Sequence, residues 1–384
     1  MKKILIITII ICIFANCWCD FTVSYADELS DNINEQLENI DFSQFEQYFN
    51  SLKNLPNDKS FFTYIKGMLN GEFDLDFNSV LTYVLNSLFL SFKGFLPVFL
   101  AIIAIALLCG VLEKLKSSFL DESISEVVSF VCLLSIILLL SGQIFSFYET
   151  TENIIKNIAN LTEIMSPIIL TLMVASGGNV SASIYKPAVA FLSNGIISIF
   201  LYLIMPLIAL TIIFNIISNF SSSIKLEKFS AVATSLIKWI IGFVITIFTV
   251  FLSIQGITSA TFDGISIKAT KYAISNSVPI VGGLIRDGFD LIIAGSVLIK
   301  NVVGITGVFA LFYTLISPLI TIFIFSLMLK LVCALVQPLT DSKITNFCET
   351  TSKALSYLSV VLISVGFMLF ITILLTIISA NAFI

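Results

Sequence analysis

The sequence predicts an all-α, polytopic membrane protein with six to eight spans, a cleaved signal peptide and a small acidic helical head outside the cytoplasm. Three observations lead there. Of 384 residues, 57% are hydrophobic and only 12% charged, about half the charged share of a soluble domain, and the mean hydropathy is +1.03. Seven charge-free runs, at 94–112, 127–148, 164–185, 187–224, 239–262, 301–329 and 354–384, approach or exceed the ~20 residues that cross a hydrocarbon core about 30 Å thick. The charge is also uneven: residues 27–93 hold eleven acids against four lysines, whereas 94–384 hold fourteen bases and thirteen acids.

Residues 1–26 read as the signal peptide. Lys2 and Lys3 precede an apolar run from Ile4 to Ala15, and Ser24-Tyr25-Ala26 puts small residues at the −3 and −1 positions of a cut before Asp27. The other reading is an uncleaved anchor helix. Residues 27–93 form the acidic extracytoplasmic segment. Leu29, Ile33, Leu37 and Ile40 recur at helical spacing, as do Phe42, Phe45, Phe49 and Leu52. Asp41 is placed to cap the second helix, with Gln44 three residues on. These apolar stripes are expected to rest on the membrane surface or a partner, or else to belong to a solvated spacer.

Residues 94–384 form the multi-span domain. With the N-terminus outside, 94–112 leads inward to Lys114 and Lys116, and 127–148 returns outward to acidic "ETTENIIKNIANLTE". The next run carries "ASGGNVSAS" and predicts a short or re-entrant helix over 164–178. One long broken helix from about 188 to 223 then leads to Lys225, Lys228 and Lys238 inside. A span beyond Lys238 leads out, 302–329 returns to Lys330, and the last run leads out again. Six crossings satisfy this reading, with seven or eight as alternatives.

"LIMPLIALT" (203–211) and "LISPLITIF" (315–323) each carry a proline inside an apolar run. Pro206 and Pro318 remove a helix hydrogen bond and predict kinks. Residues 255–300, rich in glycine, predict a re-entrant or loop segment. It holds Arg286, the only arginine in the chain, beside Asp287 and Asp290. Three charges are costly at the bilayer centre, so the cluster belongs at an interface, in a cavity or in a loop. Arg286 and Asp290 have i, i+4 spacing and can pair, and Lys300 can snorkel to the same level. The alternative is an ordinary solvated pair.

Several chemistries are absent from the residues. The chain has no histidine and no CxxC pair among seven cysteines, so neither a histidine base nor a cysteine metal site is expected. It has no GxxxxGK[ST], no GxSxG and no basic patch for nucleic acid. The expectation is a protein with no enzymatic site, no metal and no cofactor.

At "SIYKPAVAFLSNG" (183–195), "FLSIQGITSATFDG" (251–264), "KATKYAISNSVPIVGGLIRDGFD" (268–290) and "SVLIKNVVGITG" (296–307), the chain resembles the stage III sporulation protein AE family of endospore-forming bacteria. The resemblance covers nearly the whole chain. It implies a subunit of a secretion-like channel complex joining mother cell and forespore after engulfment, set in the mother-cell-derived membrane around the forespore. The implied partners are membrane lipid and other stage III sporulation proteins, including an ATPase and ring-forming subunits. Two further classes remain beside this channel reading. One is a secondary transporter for a small solute, built on proline-broken helices. The other is a scaffold that recruits subunits without a conduit of its own.

Overall fold

In lipid the backbone has no water to bond, so a long apolar run satisfies its own amides as helix. The computed structural model describes residues 27–52, 65, 67–69, 77–119, 122–220, 226–277, 282–338 and 342–378. Among these, every regular element is helical. They are α1 (Asp27–Glu38), α2 (Ser43–Ser51), α3 (Phe77–Phe119), α4 (Glu122–Ala175), α5 (Asn179–Ala190), α6 (Met205–Phe220), α7 (Glu227–Ser277), α8 (Gly282–Val336) and α9 (Ser342–Ile378). The signal-peptide residues lie outside the described residues.

Among the described residues, six helices are long and apolar enough to cross a membrane: Val80–Leu112, Val127–Ala175, Asn179–Asn219, Glu227–Ile254, Asp290–Val336 and Lys343–Ile378. Six is the crossing number that the lysine pattern favours. One expected element differs. Residues 164–175 are not a separate re-entrant helix but the end of α4, which runs unbroken for 54 residues. The acidic stretch between the two apolar runs has no glycine and keeps a helical stripe. Thr151, Ile155, Ile158, Leu161 and Met165 are buried, while Glu149, Lys156 and Glu163 are exposed. Burial of the apolar stripe therefore carries the helix through this stretch, and the chain breaks only at Gly177-Gly178.

Residues 255–277 likewise continue α7, and 282–300 begin α8. At about 1.5 Å per residue, α4, α7 and α8 are each roughly 75–80 Å long, more than twice the hydrocarbon thickness.

Paired contacts fix how the helices run. On α3, Tyr83 meets Tyr313 with ring centroids 5.4 Å apart and Phe99 meets Phe325 at 5.1 Å, so α3 is parallel to α8. Phe147 meets Phe325 at 4.9 Å and Met165 packs at Gly307, so α4 is antiparallel to α8. Ser326 bonds Ser352 at 2.9 Å and Gly304 faces Ile377, which makes α8 and α9 an antiparallel hairpin. The α6–α7 hairpin closes with Ser230 Oγ donating to Asn215 Oδ1 at 2.8 Å. One end of the bundle thus carries the α3–α4, α6–α7 and α8–α9 connections, with Lys228, Lys330 and Lys343 nearby.

Between α5 and α6 the chain stays helical but widens into π-helix at Phe191–Ile196 and Phe200–Ile204. The second stretch ends two residues before Pro206. Pro206 has no N–H for the Tyr202 carbonyl and its ring crowds that carbonyl, so a wider turn accommodates it. Around Pro318 the α8 helix is continuous, and the two prolines are not equivalent.

The two head helices pack on the body. Ile33, Leu37, Phe45 and Phe49 are buried in the same core cluster as the spans. The Tyr48 hydroxyl lies 3.2 Å from Thr314 Oγ1. Thr314 donates to the Ala310 carbonyl at 2.7 Å, so Tyr48 is the donor between them. Burial pushes the Tyr48 phenol above its usual range, which keeps that proton in place. Asp41 Oδ1 accepts the Ser43 N–H at 2.9 Å at the start of α2, and hydrogen bonds from Ser43 hold its carboxyl below the ordinary range.

Candidate functional site, a buried charge cluster at the start of α5

The "ASGGNVSAS" stretch folds as a tight helix-to-helix turn. Gly177 has φ 84°, a conformation that favours glycine. Its N–H bonds the Val174 carbonyl at 2.9 Å, and the Gly178 N–H bonds the Met173 carbonyl at 2.7 Å. This pair of bonds is a Schellman closure of α4. The chain then enters α5 at Asn179 with no side-chain cap from its own N-cap residue, Gly178.

The missing cap comes from another helix. Asp263 of α7 is fully buried. Its Oδ1 accepts the Val180 N–H at 2.9 Å, and its Oδ2 accepts the Ser181 N–H at 3.1 Å. A carboxylate at a helix N-terminus satisfies orphan donors and meets the positive end of the macrodipole. Lys300 of α8, also fully buried, lies within electrostatic reach of Asp263. One acid, one base and one helix terminus, from α7, α8 and α5, thus share an interior site. Ser181 Oγ and Asn301 Oδ1 beside it are buried with no hydrogen-bond partner among the described residues.

A second pair lies further along the same two helices. Lys271 Nζ is 2.7 Å from Asp290 Oδ1. The polarity is reversed, with the base on α7 and the acid on α8. Between the two pairs, α1 docks on α8. Gln36 Nε2 donates to the Ile292 carbonyl at 3.1 Å, and Ser296 Oγ donates to Gln36 Oε1 at 2.7 Å. Gly295 makes this approach possible, because a Cβ there would stand 2.9 Å from Asn32 Oδ1.

The glycine-rich segment is therefore where head, α5, α7 and α8 meet. Lys300 sits at its centre, buried with Asp263 rather than snorkelling. Asp290 is ion-paired with Lys271, a partner that sequence spacing did not suggest. Arg286 and Asp287 fall in the first turns of α8, and their side chains lie outside the described residues. Pro206 and Pro318 are away from the cluster. Sequence reasoning missed Asp263, although one signal was present: it is the first charge after the run 239–262.

Among the described residues, no group of histidine, cysteine or acidic side chains could hold a metal ion. The cluster has the parts of an electrostatic clamp. It locks the orientation of three helices, α5, α7 and α8, to one another.

Comparison with known proteins gives two matches. The family profile described as stage III sporulation protein AE matches residues 59–380. A protein named stage III sporulation protein AE from Bacillus subtilis (strain 168) is 29% identical over 281 residues, covering 73% of this chain and 70% of the relative. No solved structure matches.

Proposed function

The chain belongs to the stage III sporulation protein AE family, and we propose that it is a non-enzymatic subunit of a channel-like assembly between mother cell and forespore. The family supports a role in sporulation, and the six apolar helices make it a multi-pass membrane protein. The finer reading places it in the mother-cell-derived membrane around the forespore after engulfment. There it would work with an ATPase, ring-forming subunits and other stage III membrane proteins, and carry out no chemical step of its own.

One observation carries this reading: the body is far taller than a bilayer. Helices α4, α7 and α8 have 54, 51 and 55 residues, so each continues some tens of ångströms beyond the hydrocarbon. The buried Asp263–Lys300 cluster and the docked α1 stiffen the end away from the lysine-rich hairpins. A tall, braced helical body suits a subunit that meets partners outside the membrane, and a small-solute carrier has no need of it.

The test is to isolate the tagged full-length protein from sporulating cells. Co-purification of a secretion-type ATPase and ring-forming proteins, with imaging of one complex, is the expected result. A protein recovered alone that drives uptake of a small solute in vesicles would overturn the reading in favour of a transporter.

A further inference from the structure

Cys333 of α8 and Cys348 of α9 face each other near the connection of the α8–α9 hairpin, and we propose that they form a reversible redox site. The half-buried Cys333 is the sulfur that a peroxide oxidises. The buried Cys348 is the thiol that closes the disulfide. The site goes beyond the subunit reading above and does not depend on it.

Helix register brings the two sulfurs together. Ser326 Oγ bonds the Ser352 carbonyl at 3.1 Å, and Ser352 Oγ donates to the Ser326 carbonyl at 2.9 Å. The α8 and α9 backbones therefore approach closely at this level. In an antiparallel pair the same register sets residue 333 against residue 345, and Cys333 Sγ donates to the Thr345 carbonyl at 3.6 Å. Cys348 lies one helical turn further along α9, an axial offset of about 4.5 Å. Side chains lean toward the N-terminus of their own helix. On antiparallel helices these leans converge, so Cys333 and Cys348 lean toward each other. Their thiols are hydrogen-bonded. Because Cys333 gives its own hydrogen to Thr345, Cys348 is the donor between them. A disulfide sets the two Cβ atoms about 3.5–4.5 Å apart. Thiols already in contact reach that geometry by rotation about χ1 and a small approach of the two helices.

The two sulfurs differ in access. Cys348 is 1% exposed, whereas Cys333 is half-buried. Around them Lys330 on α8 and Lys343, Glu349 and Lys353 on α9 are exposed, and Glu349 pairs with Lys353 at 2.6 Å. Charges are costly in hydrocarbon, so this end of the hairpin meets water and a small peroxide reaches Cys333. In the first step the Cys333 sulfur attacks a peroxide oxygen, the O–O bond breaks, and a sulfenic acid and water form. In the second the Cys348 sulfur attacks the sulfenic sulfur. The S–S bond forms, and hydroxide leaves with the thiol proton as a second water. A cellular dithiol reverses the bond by exchange and leaves as its own disulfide. Lysine placement puts this end inside the cell, where thiols are kept reduced, so the dithiol is the resting form. Oxidation then staples α8 to α9 across their connection and replaces the bond from Cys333 to Thr345.

The experiment treats the full-length protein in detergent with hydrogen peroxide, blocks the remaining thiols, and maps the cysteines by mass spectrometry. A peptide linking Cys333 to Cys348 should appear and should vanish after dithiothreitol. The melting temperature should rise by several degrees with the bond and fall back on reduction, because a cross-link restricts the unfolded chain. In Cys348→Ala, dimedone should trap a sulfenic acid at Cys333. In Cys333→Ala, Cys348 should oxidise at least about tenfold more slowly than Cys333 does in Cys348→Ala, because access governs thiol oxidation. Absence of the linked peptide, a linked peptide that survives dithiothreitol, or an unchanged melt would each overturn the proposal. So would equal oxidation of the two single variants. Both variants are first checked for monodisperse elution, and the linked peptide is read in the unsubstituted chain, so a misfolded variant does not remove the test.

Discussion

Asp263 Oδ1 stands 2.9 Å from the Val180 nitrogen, so the first turn of α5 is capped by a carboxylate 83 residues away in the chain. With Lys300 buried beside it, removing one charge strands the other. Asp263→Ala and Lys300→Met should each destabilise the protein by about 3–5 kcal/mol, the cost of breaking a well-buried pair. The double variant should recover much of that loss. Thermal unfolding in detergent, read beside protein level in membranes, checks this. Single variants that melt like the wild type would show that the cluster is not a clamp.

The docking of α1 depends on the bare Cα of Gly295. Gly295→Val should push Asn32 and Gln36 away and release α1, costing about 1–3 kcal/mol as overpacking does. Limited proteolysis should then cut within residues 27–51 while the spans stay intact. Adding Asn32→Gly should restore part of the protection. Unchanged proteolysis in Gly295→Val would show that α1 adapts to the bulk.

Helix directions place Lys228 and Lys343 at one end of the bundle and α1 at the other. In a cysteine-free background, Lys228→Cys and Lys343→Cys should label from the same side with an impermeant thiol reagent, and Asn39→Cys from the opposite side. All three positions are exposed, whereas Phe45 in the head is too buried to report. Labelling of all three from one side would refute six crossings arranged this way.

Pro206→Ala and Pro318→Ala should separate, because only the first follows a π-helical stretch. Alanine at 206 restores a donor for the Tyr202 carbonyl and should let Phe200–Ile204 tighten toward α-helix. Spore yield should fall with protein level unchanged if the widened turn is used. Pro318→Ala should be milder, since α8 is already continuous there. Equal effects from the two would return both prolines to one role.

The amino-acid sequence by itself determined the membrane class and the helical content and favoured six crossings over seven or eight, because apolar runs and lysine placement report directly on transfer into lipid. It also determined that the glycine-rich segment holds something costly, since Lys300 and Asp290 lie beside long apolar runs. Only the tertiary structure decided who pairs with whom. Asp263 with Lys300, and Lys271 with Asp290, are contacts between antiparallel helices, and no local spacing encodes them. The same holds for Tyr48 on Thr314 and for Gln36 on Ser296, which bind the head to the body. The unbroken α4 was hidden for a related reason. A stripe such as Thr151, Ile155 and Ile158 beside Glu149 and Glu152 reads as a surface loop or as a half-buried helix until a neighbour exists to bury it. Burial against another helix is a property of the assembled bundle, and it decided that this stretch and residues 164–175 continue α4.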